Sequence, residues 1–457
     1  MHVALVNPPA LSGKAVFRDG YCSSSSKSGY LWHPLDLLVQ SGILSARGHA
    51  LTFIDAVADG LDGDRLIERL ARARPEVILG LAGDVSWPAD VRFYRRLAAR
   101  LPTTRLVLSG DVPRFESMKA FRELPSLDAV LTDFSQSGFA DWVDGERSAV
   151  AGLLLRDASP ESHEAATPPN RRPWSSSPAR HDLLGRRYRL PFHGGLPFAS
   201  VLASYGCPYS CTFCNTGELG YRGRDTGEVI SELQGVRRLG YRRVYLRDAT
   251  ANGKRAALLE LCRAWERADL GLSWNVFCTF SPFDAELAGA MAGAGCRVVQ
   301  FGIEAGDDAI RSANGKAFRN DAAAAAVRYA HDAGMQVCGH FVLGLPGQDE
   351  DGVRRTLAFA RELDLDFASF NLAAARPGTA LRREADERGM PGGDASGDGF
   401  IAGLSAIEPG RLRALKRTGT LNFYLRPRPL RAVLPDLRHR EGWAHLAAMG
   451  RAFVRTW

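Results

Sequence analysis

Three cysteines lie close together near the middle of the chain. Cys207, Cys211 and Cys214 follow the spacing C-x3-C-x2-C within the run Gly206–Asn215. This spacing gathers three thiolates on one short loop, which suits three corners of a four-iron cluster and leaves the fourth iron without a protein ligand. The sequence therefore indicates an iron–sulfur centre with one position open for chemistry on a bound small molecule.

A zinc site is the main alternative for such a group of cysteines. Structural zinc takes four protein ligands, usually in two separated pairs, and no nearby Cys or His completes a local set. His181 and His193 precede the loop, but neither stands at the spacing of a zinc finger. An iron–sulfur cluster is favoured over zinc, and over three unrelated core cysteines.

The segment around these cysteines resembles the signature of the radical S-adenosylmethionine (SAM) superfamily. In that family three cysteines hold a [4Fe-4S] cluster, and the amino and carboxylate groups of SAM chelate the fourth iron. The resemblance implies an enzyme that cleaves SAM to methionine and a 5'-deoxyadenosyl radical. It also implies that Cys207, Cys211 and Cys214 are the metal ligands and that Phe213 lies near the adenine of SAM.

The composition is that of an ordinary globular protein. The chain has 457 residues, of which 45% are hydrophobic and 24% charged, so it is long enough for two domains. The net charge of +7 is spread widely and does not indicate nucleic-acid binding. Neither a membrane span nor a signal peptide is indicated, and the eight irregularly spaced cysteines argue against a disulfide framework. We expect a cytoplasmic protein.

Downstream of the cysteines, short apolar runs alternate with helical patterns, which is typical of βα units. Strands are predicted at 199–203, 244–246, 273–278, 298–303, 337–343 and 367–372, and helices at 226–239, 255–268, 284–293, 321–333 and 350–363. Six strands match the partial (β/α)6 barrel that the resemblance implies. In barrels of this kind the active residues lie at the carboxyl ends of the strands.

Several predicted strand ends resemble motifs of the same superfamily. Phe301–Gly306 reads FGIEAG, Phe341–Gln348 reads FVLGLPGQ with Gln in place of the usual Glu, and Ser369–Asn371 precedes an R-P-G-T stretch. The resemblance implies that Asp248, Glu304 and Asn371 contact SAM. Taken singly, each strand-end residue is more often simply solvated, so the interpretation depends on their order along one barrel.

The first half of the chain predicts a different α/β architecture. About five buried strands alternate with helices, which describes a doubly wound parallel sheet whose ligands settle at the carboxyl ends of the strands. Asn7-Pro8-Pro9 and the segment Pro178–Leu184 resemble the cobalamin-binding-domain branch of the superfamily. This resemblance implies a bound cobalamin, and Asn7, Pro8, Ser86 and Gly110 are its candidate contacts. The alternative is a degenerate sheet domain that only shapes the substrate site.

The predicted cobalamin site departs from the usual pattern in three respects: a loop that often reads GG is Ser109-Gly110-Asp111, an acidic GEGE stretch is replaced by Thr132–Gln136, and a histidine motif is missing. No D-x-H-x-x-G motif supplies a histidine, so a bound cobalt would lack that ligand.

The segment Arg18–Pro34 follows the first strand and should lie over the carboxyl edge of the sheet. Its serines and aromatic residues are consistent with a loop that covers substrate or cofactor, or with a flexible linker. Cys22 within it is either a functional thiol or a packing residue.

Four regions are expected along the chain. Residues 1–150 form the cobalamin-binding-like domain, 151–197 an interdomain linker, 198–390 the partial barrel and 391–457 a basic helical region. That last region is expected to cover the open side of the barrel. A peripheral contact with an anionic membrane is the alternative.

The sequence thus predicts a radical SAM enzyme, with cobalamin-dependent methylation of an unactivated carbon as its reaction. The substrate is expected to be a small-molecule or lipid-like intermediate, and the electron donor a flavodoxin or ferredoxin. A cyclisation, ring contraction or rearrangement without methylation is the alternative within the class. A non-catalytic iron–sulfur protein is the alternative from another class.

Overall fold

The computed structural model describes residues 1–10, 15–21, 23–26, 30–146, 150–157, 174–189, 196–390 and 405–434, with seven single positions between 437 and 451. Cys22, the central part of the predicted linker and the Gly-rich stretch 391–399 lie outside the described residues. The chain divides into two compact units, Met1–Arg189 with Ala448–Trp457, and Leu190–Ala447. Among the described residues, none of the helices has the length and apolar character needed to span a bilayer.

The first unit is built on a six-stranded sheet in the order β4-β1-β5-β6-β7-β8. Its strands are β1 (His2–Asn7), β4 (Ala50–Asp55), β5 (Val77–Leu81), β6 (Arg105–Ser109), β7 (Ala129–Leu131) and β8 (Leu153–Leu155). A separate hairpin, β2 (Val16–Arg18) with β3 (Ser23–Ser25), follows β1. The helices are Leu35–Ala46, Ala56–Asp59, Gly63–Ala73, Trp87–Arg100, Asp111–Phe115, Ser117–Glu123 and Gly138–Val143.

The first sheet matches the predicted doubly wound arrangement and adds one strand. Five strands pair in parallel, as buried apolar runs such as Val77–Leu81 predict. The sixth strand, Leu153–Leu155, pairs antiparallel with β7. It falls inside the segment that composition predicted as a linker, because a three-residue strand is too short to stand out from Pro- and Ser-rich surroundings.

The second unit contains a six-stranded parallel sheet in the order β16-β15-β14-β13-β12-β9. Its strands are β9 (Ala199–Val201), β12 (Arg243–Leu246), β13 (Ser273–Cys278), β14 (Cys296–Glu304), β15 (Gln336–Leu343) and β16 (Phe367–Leu372). The short strands β10 (Ser204–Tyr205) and β11 (Arg222–Gly223) pair beside it. The helices are Thr226–Arg238, Arg255–Ala268, Ala285–Gly293, Asp308–Ala313, Asn320–Asp332, Glu350–Glu362, Ala380–Glu387, Pro409–Tyr424 and Pro427–Val433.

This order of strands is the partial (β/α)6 barrel that the sequence predicted. Successive strands of this sheet pair in chain order and are separated by helices, as βα units predict. Asp225, Asp284 and Asp349 cap three of the helices by accepting backbone N–H bonds in the first turn. Gly334 follows the helix Asn320–Asp332 with φ of +81°, the left-handed conformation expected of a C-terminal cap.

The helix Pro409–Tyr424 packs against the edge strand β16. Its Phe423 is fully buried, and the ring of Phe370 lies 6.0 Å from it. The hydroxyl of Tyr424 donates to the carbonyl of Ala368 at 2.6 Å and accepts from the backbone N–H of the same residue at 3.2 Å. The apolar residues of this basic helix therefore cover the barrel.

Asp36 is a buried carboxyl group under the hairpin of the first unit. Its oxygens accept hydrogen bonds from the backbone N–H of Gly20 at 3.0 Å and from the hydroxyl of Ser109. Burial raises the pKa of Asp36 to about 7, and the nearby charge of Asp19 adds to this shift. The folded chain therefore holds a proton on Asp36 that the unfolded chain releases at a lower pH.

Asp36 should make the first unit less stable as the pH rises. Because its pKa is higher in the folded state, the stabilisation that the proton provides is complete below the ordinary pKa and is lost as the pH rises through 7. Between pH 5 and pH 8, the wild type should lose about 2–3 kcal/mol more than Asp36→Asn. Urea unfolding at each pH, followed by circular dichroism, measures how the free energy of unfolding of both proteins changes with pH. An equal change in the two proteins would contradict the raised pKa of Asp36.

Candidate functional site

The cysteine loop begins and ends at the short hairpin of β10 and β11. Gly206 has φ of +73°, and a Cβ placed there would come within 1.5 Å of the carbonyl oxygen of Gly220. Only glycine permits two backbones to cross this closely. The segment 207–219 is therefore a closed loop that projects from a fixed base after β9.

A second segment holds the middle of this loop. The backbone N–H of Thr212 donates to the carbonyl of Asn314 at 3.2 Å, and its hydroxyl donates to the Asn314 side chain at 3.1 Å. Gly315 adopts φ of +74°, and a Cβ there would meet the carbonyl oxygen of Ser210 at 2.6 Å. The loop after helix Asp308–Ala313 thus fixes the backbone that carries Cys211.

The three thiols of the loop are partly accessible. Cys207, Cys211 and Cys214 each have intermediate exposure, and burial raises the pKa of Cys207 and of Cys211 to about 12. In the part of the chain that the structure describes, no three Cys, His, Asp or Glu side chains converge on one metal ion. A cuboidal cluster does not require its ligands to converge on one ion, because each thiolate binds its own iron. The arrangement suits such a cluster better than mononuclear zinc.

Phe213 and Asn215 tie the loop to the carboxyl ends of three strands. Phe213 packs against Ala305, Leu345 and Ala373, which follow β14, β15 and β16 respectively. The buried side-chain amide of Asn215 donates to the carbonyl of Pro377 at 3.3 Å. Phe213, the predicted adenine contact, therefore lies at the carboxyl ends of the barrel strands, where active residues are expected.

Asp248 is buried at the end of β12 and binds the chain just before the cysteine loop. Its carboxylate accepts from the backbone N–H of Ala203 at 2.8 Å and from the hydroxyl of Ser204 at 2.6 Å. Burial raises the pKa of Asp248 to about 6, although these hydrogen bonds oppose the shift. Its contacts within the chain support the base of the loop.

Glu304 at the end of β14 forms a buried ion pair with Lys316. Its backbone has φ of +65° beside an irregular register with β15, so the side chain points away from the ordinary pleat. The Nζ of Lys316 lies 2.6 Å from Oε1 of Glu304, and the two side chains are 12% and 10% exposed. Burial alone would lower the pKa of Lys316, but the charges of Glu304, Cys211 and Cys207 and the hydrogen bond to Glu304 together outweigh it, so the pKa is raised.

The face of the sheet opposite the helices carries polar and aromatic side chains. Alternate residues of the strands, such as Val276 and Phe301, join the core under the helices, so the residues between them face the other way. These include Tyr245, Phe277, Gln300, His340 and Asn371. This lumen, formed by the inward residues, is where a small substrate and a nucleoside are expected to lie.

His340 is a titratable group on the face of β15 that lines the lumen. Its ring lies 4.7 Å from that of Phe277, and its Nε2 is 3.0 Å from Oε1 of Gln300. Burial lowers the pKa of His340 to about 4, and the charge of Lys316 acts in the same direction. The imidazole is therefore neutral at physiological pH and available for hydrogen bonding.

Lys316 and His340 were not among the residues predicted for the site. Lys316 stands in a loop whose distance from the cysteines in sequence hides the contact. For His340 a signal existed: it interrupts the apolar run Val337–Leu343, and on a buried strand an inward polar residue indicates a lumen. Asn371, which was predicted, lies on the same inward face and donates to Ser369 at 3.2 Å.

The four residues predicted to contact cobalamin lie at the carboxyl edge of the first sheet. The amide of Asn7 donates to Asp55 at 2.9 Å, and the carbonyl of Pro8 accepts from Arg18 at 3.0 Å. The hydroxyl of Ser86 is bonded within the chain, and Gly110 has φ of +123°. A Cβ at Gly110 would lie 1.9 Å from the carbonyl oxygen of Ala82, so glycine here permits a close approach between two strand ends of the sheet itself.

Comparison with known proteins identifies the second unit. Residues 201–360 match the family model described as the radical SAM superfamily. The matched residues begin in β9 and include the three cysteines and the ends of β12, β14 and β15. Residues 201–360 therefore carry a radical SAM domain, which confirms the resemblance of the cysteine segment.

The likeness extends over the whole chain. An uncharacterized methyltransferase of Pyrococcus horikoshii is 26% identical over 86% of this chain and 88% of its own. An anaerobic magnesium-protoporphyrin IX monomethyl ester cyclase of Rubrivivax gelatinosus is 23% identical over 80% of this chain and 69% of its own. The solved structure of the radical SAM methyltransferase TsrM of Kitasatospora setae, with cobalamin and a [4Fe-4S] cluster, superposes with a TM-score of 0.70 at 16% identity, over 99% of both chains. The predicted fold class, a doubly wound parallel sheet followed by a partial barrel, is confirmed.

The glycine at position 315 should be essential for cluster assembly. Gly315→Ala places a methyl group against the Ser210 carbonyl, whereas Gly334→Ala introduces a similar backbone strain, at φ of +81°, with nothing within 4 Å of the new atom. We expect iron incorporation after anaerobic reconstitution to fall at least severalfold in the first variant and to stay near wild type in the second. Equal iron content in the two variants would show that the contact does not position the loop.

Proposed function

We propose that this protein uses a [4Fe-4S] cluster and SAM for cobalamin-dependent methylation of an unactivated carbon in a small molecule. The observation that carries the proposal is the loop with Cys207, Cys211 and Cys214, held at the carboxyl ends of a radical SAM barrel. Proteins that match most of this chain include methyltransferases.

The cysteine loop would hold the cluster at a fixed place. Three thiolates bind three irons, and a bound cluster supplies the electron that cleaves SAM. Asn314 and Gly315 keep Cys211 in position, and Lys316 places a buried positive charge near Cys207 and Cys211. That charge opposes the repulsion between neighbouring thiolates. A flavodoxin- or ferredoxin-like protein is the proposed electron donor, in a reducing cytoplasmic compartment.

Glu304 and the lumen are the proposed binding site for SAM and substrate. The carboxylate of Glu304 is suited to an ammonium group, since it already binds that of Lys316. Phe213 offers a flat apolar contact beside the ends of β14, β15 and β16, which suits the adenine. Asp248, which was predicted to contact SAM directly, contributes by supporting the first strand end.

The lumen favours a small polar or aromatic substrate. Phe277 and Tyr245 lie 6.3 Å apart and can stack on a ring, while the His340–Gln300 pair offers hydrogen bonds. A neutral imidazole held by a glutamine amide is able to orient a substrate hydroxyl or amine without adding charge. The positions of these four side chains in the lumen would determine which substrate binds.

A reaction without net methylation is the second candidate. The Rubrivivax gelatinosus relative is a cyclase and covers 80% of this chain, which is nearly as much as the methyltransferase of Pyrococcus horikoshii. The barrel and its cysteines serve both reactions equally. A protein that retains no corrin would exclude cobalamin-dependent methylation and favour this second candidate.

Each of the three loop cysteines should be necessary for SAM cleavage. Cys207→Ala, Cys211→Ala and Cys214→Ala should each lose most of the cluster iron and all formation of 5'-deoxyadenosine, because each thiolate binds one iron. Cys262→Ala is the matched control, since Cys262 is buried in the helix Arg255–Ala268. Full iron content and 5'-deoxyadenosine formation in all three loop variants would refute the assignment.

Replacing Glu304 should weaken SAM binding while the cluster still assembles. Glu304→Gln removes the carboxylate charge and should raise the Kd for SAM by about 5- to 150-fold, or about 1–3 kcal/mol. Glu218→Gln is the control, because Glu218 follows the cysteines but is 53% exposed on its side chain. Isothermal titration of the reconstituted protein measures both affinities. An unchanged Kd in Glu304→Gln would show that Glu304 does not bind SAM and only forms the structural ion pair with Lys316.

The full-length protein should retain a corrin. We expect it to bind hydroxocobalamin under anaerobic reducing conditions, with the dimethylbenzimidazole displaced and no histidine on cobalt, because the sequence lacks a D-x-H-x-x-G motif. Visible absorption and paramagnetic resonance after desalting report both properties. If no corrin is retained, methyl transfer through cobalamin is the wrong reaction and the cobalamin-free alternative is favoured.

A further inference from the structure

The hairpin of β2 and β3 lies across the carboxyl ends of three strands of the first sheet. The guanidinium of Arg18 donates to the carbonyls of Pro8 at 3.0 Å and Pro9 at 2.8 Å, which follow β1. The N–H and hydroxyl of Ser23 donate to Asp111, which follows β6, at 2.8 and 2.7 Å. The edge at which doubly wound sheets bind their ligands is thus covered by the chain itself.

Arg18 also satisfies the polar groups that follow β5. Its Nε donates to the hydroxyl of Ser86 at 2.9 Å, and its Nη2 pairs with Asp90 at 2.9 Å. The side chains of Arg18 and Asp90 are only 1% and 2% exposed. Opening a buried pair of this kind is strongly unfavourable, because it leaves an uncompensated charge. A ligand therefore cannot reach Ser86 or Asn7 while Arg18 is in place.

The space beside the two glycines of this edge, Gly83 and Gly110, is occupied by other atoms of the chain. A Cβ at Gly83 would lie 2.4 Å from the Cβ of Ser23, so the hairpin occupies the space that this glycine leaves. The corresponding space at Gly110 is taken by the carbonyl of Ala82. Neither glycine provides room for a cofactor.

The outward face of the hairpin carries three aromatic rings. Strand alternation buries Val16 and Arg18 and turns Phe17 the other way. The ring of Phe17 lies 5.7 Å from that of Tyr30 and 5.3 Å from that of Trp32, and the last two rings are 6.0 Å apart. All three residues are half-buried. We call Phe17, Tyr30 and Trp32 the aromatic surface.

We infer that the aromatic surface is the contact of the first unit for the corrin ring, in place of Asn7, Pro8, Ser86 and Gly110. This inference rests on the proposed cobalamin-dependent function. A corrin is a large, flat ring with an apolar face and a rim of amides. Clustered aromatic rings match the face, and the hydroxyl of the half-buried Ser24, which pairs with Phe17 across the hairpin, is suited to the rim.

The experiment compares hydroxocobalamin binding by full-length variants. Phe17→Ala combined with Trp32→Ala should raise the Kd at least tenfold. Phe53→Ala is the matched control, since Phe53 is a half-buried aromatic residue of the edge strand β4 and should bind as the wild type does. Ser86→Ala should also retain the wild-type affinity, because Ser86 lies beneath Arg18.

Hydrogen–deuterium exchange of the wild type gives a second measurement that needs no folded variant. Hydroxocobalamin should slow exchange of the amides in 16–18, 23–26 and 30–32. A wild type that binds hydroxocobalamin, with no protection there and an unchanged Kd in the aromatic variant, would overturn this inference alone. A wild type that binds none would overturn the inference together with the proposed methyl transfer.

Discussion

The close backbone contact between Gly315 and the Ser210–Cys211 peptide is the constraint on which the site depends. It holds the cysteine loop against the segment that follows β14, and the same segment delivers Lys316 to Glu304. The position of the thiols and the position of the buried ion pair are therefore set together. Since both backbones are fixed at their bases, by Gly206 and by the helix Asp308–Ala313, little room is left for independent movement.

In the first unit, two side chains of the hairpin bind the polar groups at the carboxyl edge of the sheet. The carboxyl ends of parallel strands present free backbone and side-chain polar groups, which a ligand normally satisfies. Here the guanidinium of Arg18 satisfies groups after β1 and β5, and Ser23 satisfies Asp111 after β6. The sheet is complete without a cofactor, and recognition is moved outward to the surface of the hairpin.

Much of the architecture could be predicted from the sequence, because buried parallel strands are continuous apolar runs and helices end at glycine or begin at aspartate. Ser273–Cys278 and Phe367–Leu372 are strands at the predicted residues. What could not be predicted depends on contacts between distant segments. Nothing local marks Arg18 as buried, and a guanidinium at 1% exposure contradicts the usual preference of arginine for solvent. The place of Lys316 near the cysteine loop could not be predicted for the same reason, whereas the strand Leu153–Leu155 was missed because three residues are too short to stand out.

The hydroxyl of Tyr424 has a consequence for solubility. An open barrel leaves β16 as an edge strand, and unpaired N–H and C=O groups on such an edge recruit strands from other molecules. By binding both backbone groups of Ala368, one phenol blocks the middle of that edge, and the helix Pro409–Tyr424 shields the rest. The incomplete barrel is thereby protected from edge-to-edge association, a hazard that a closed barrel never meets.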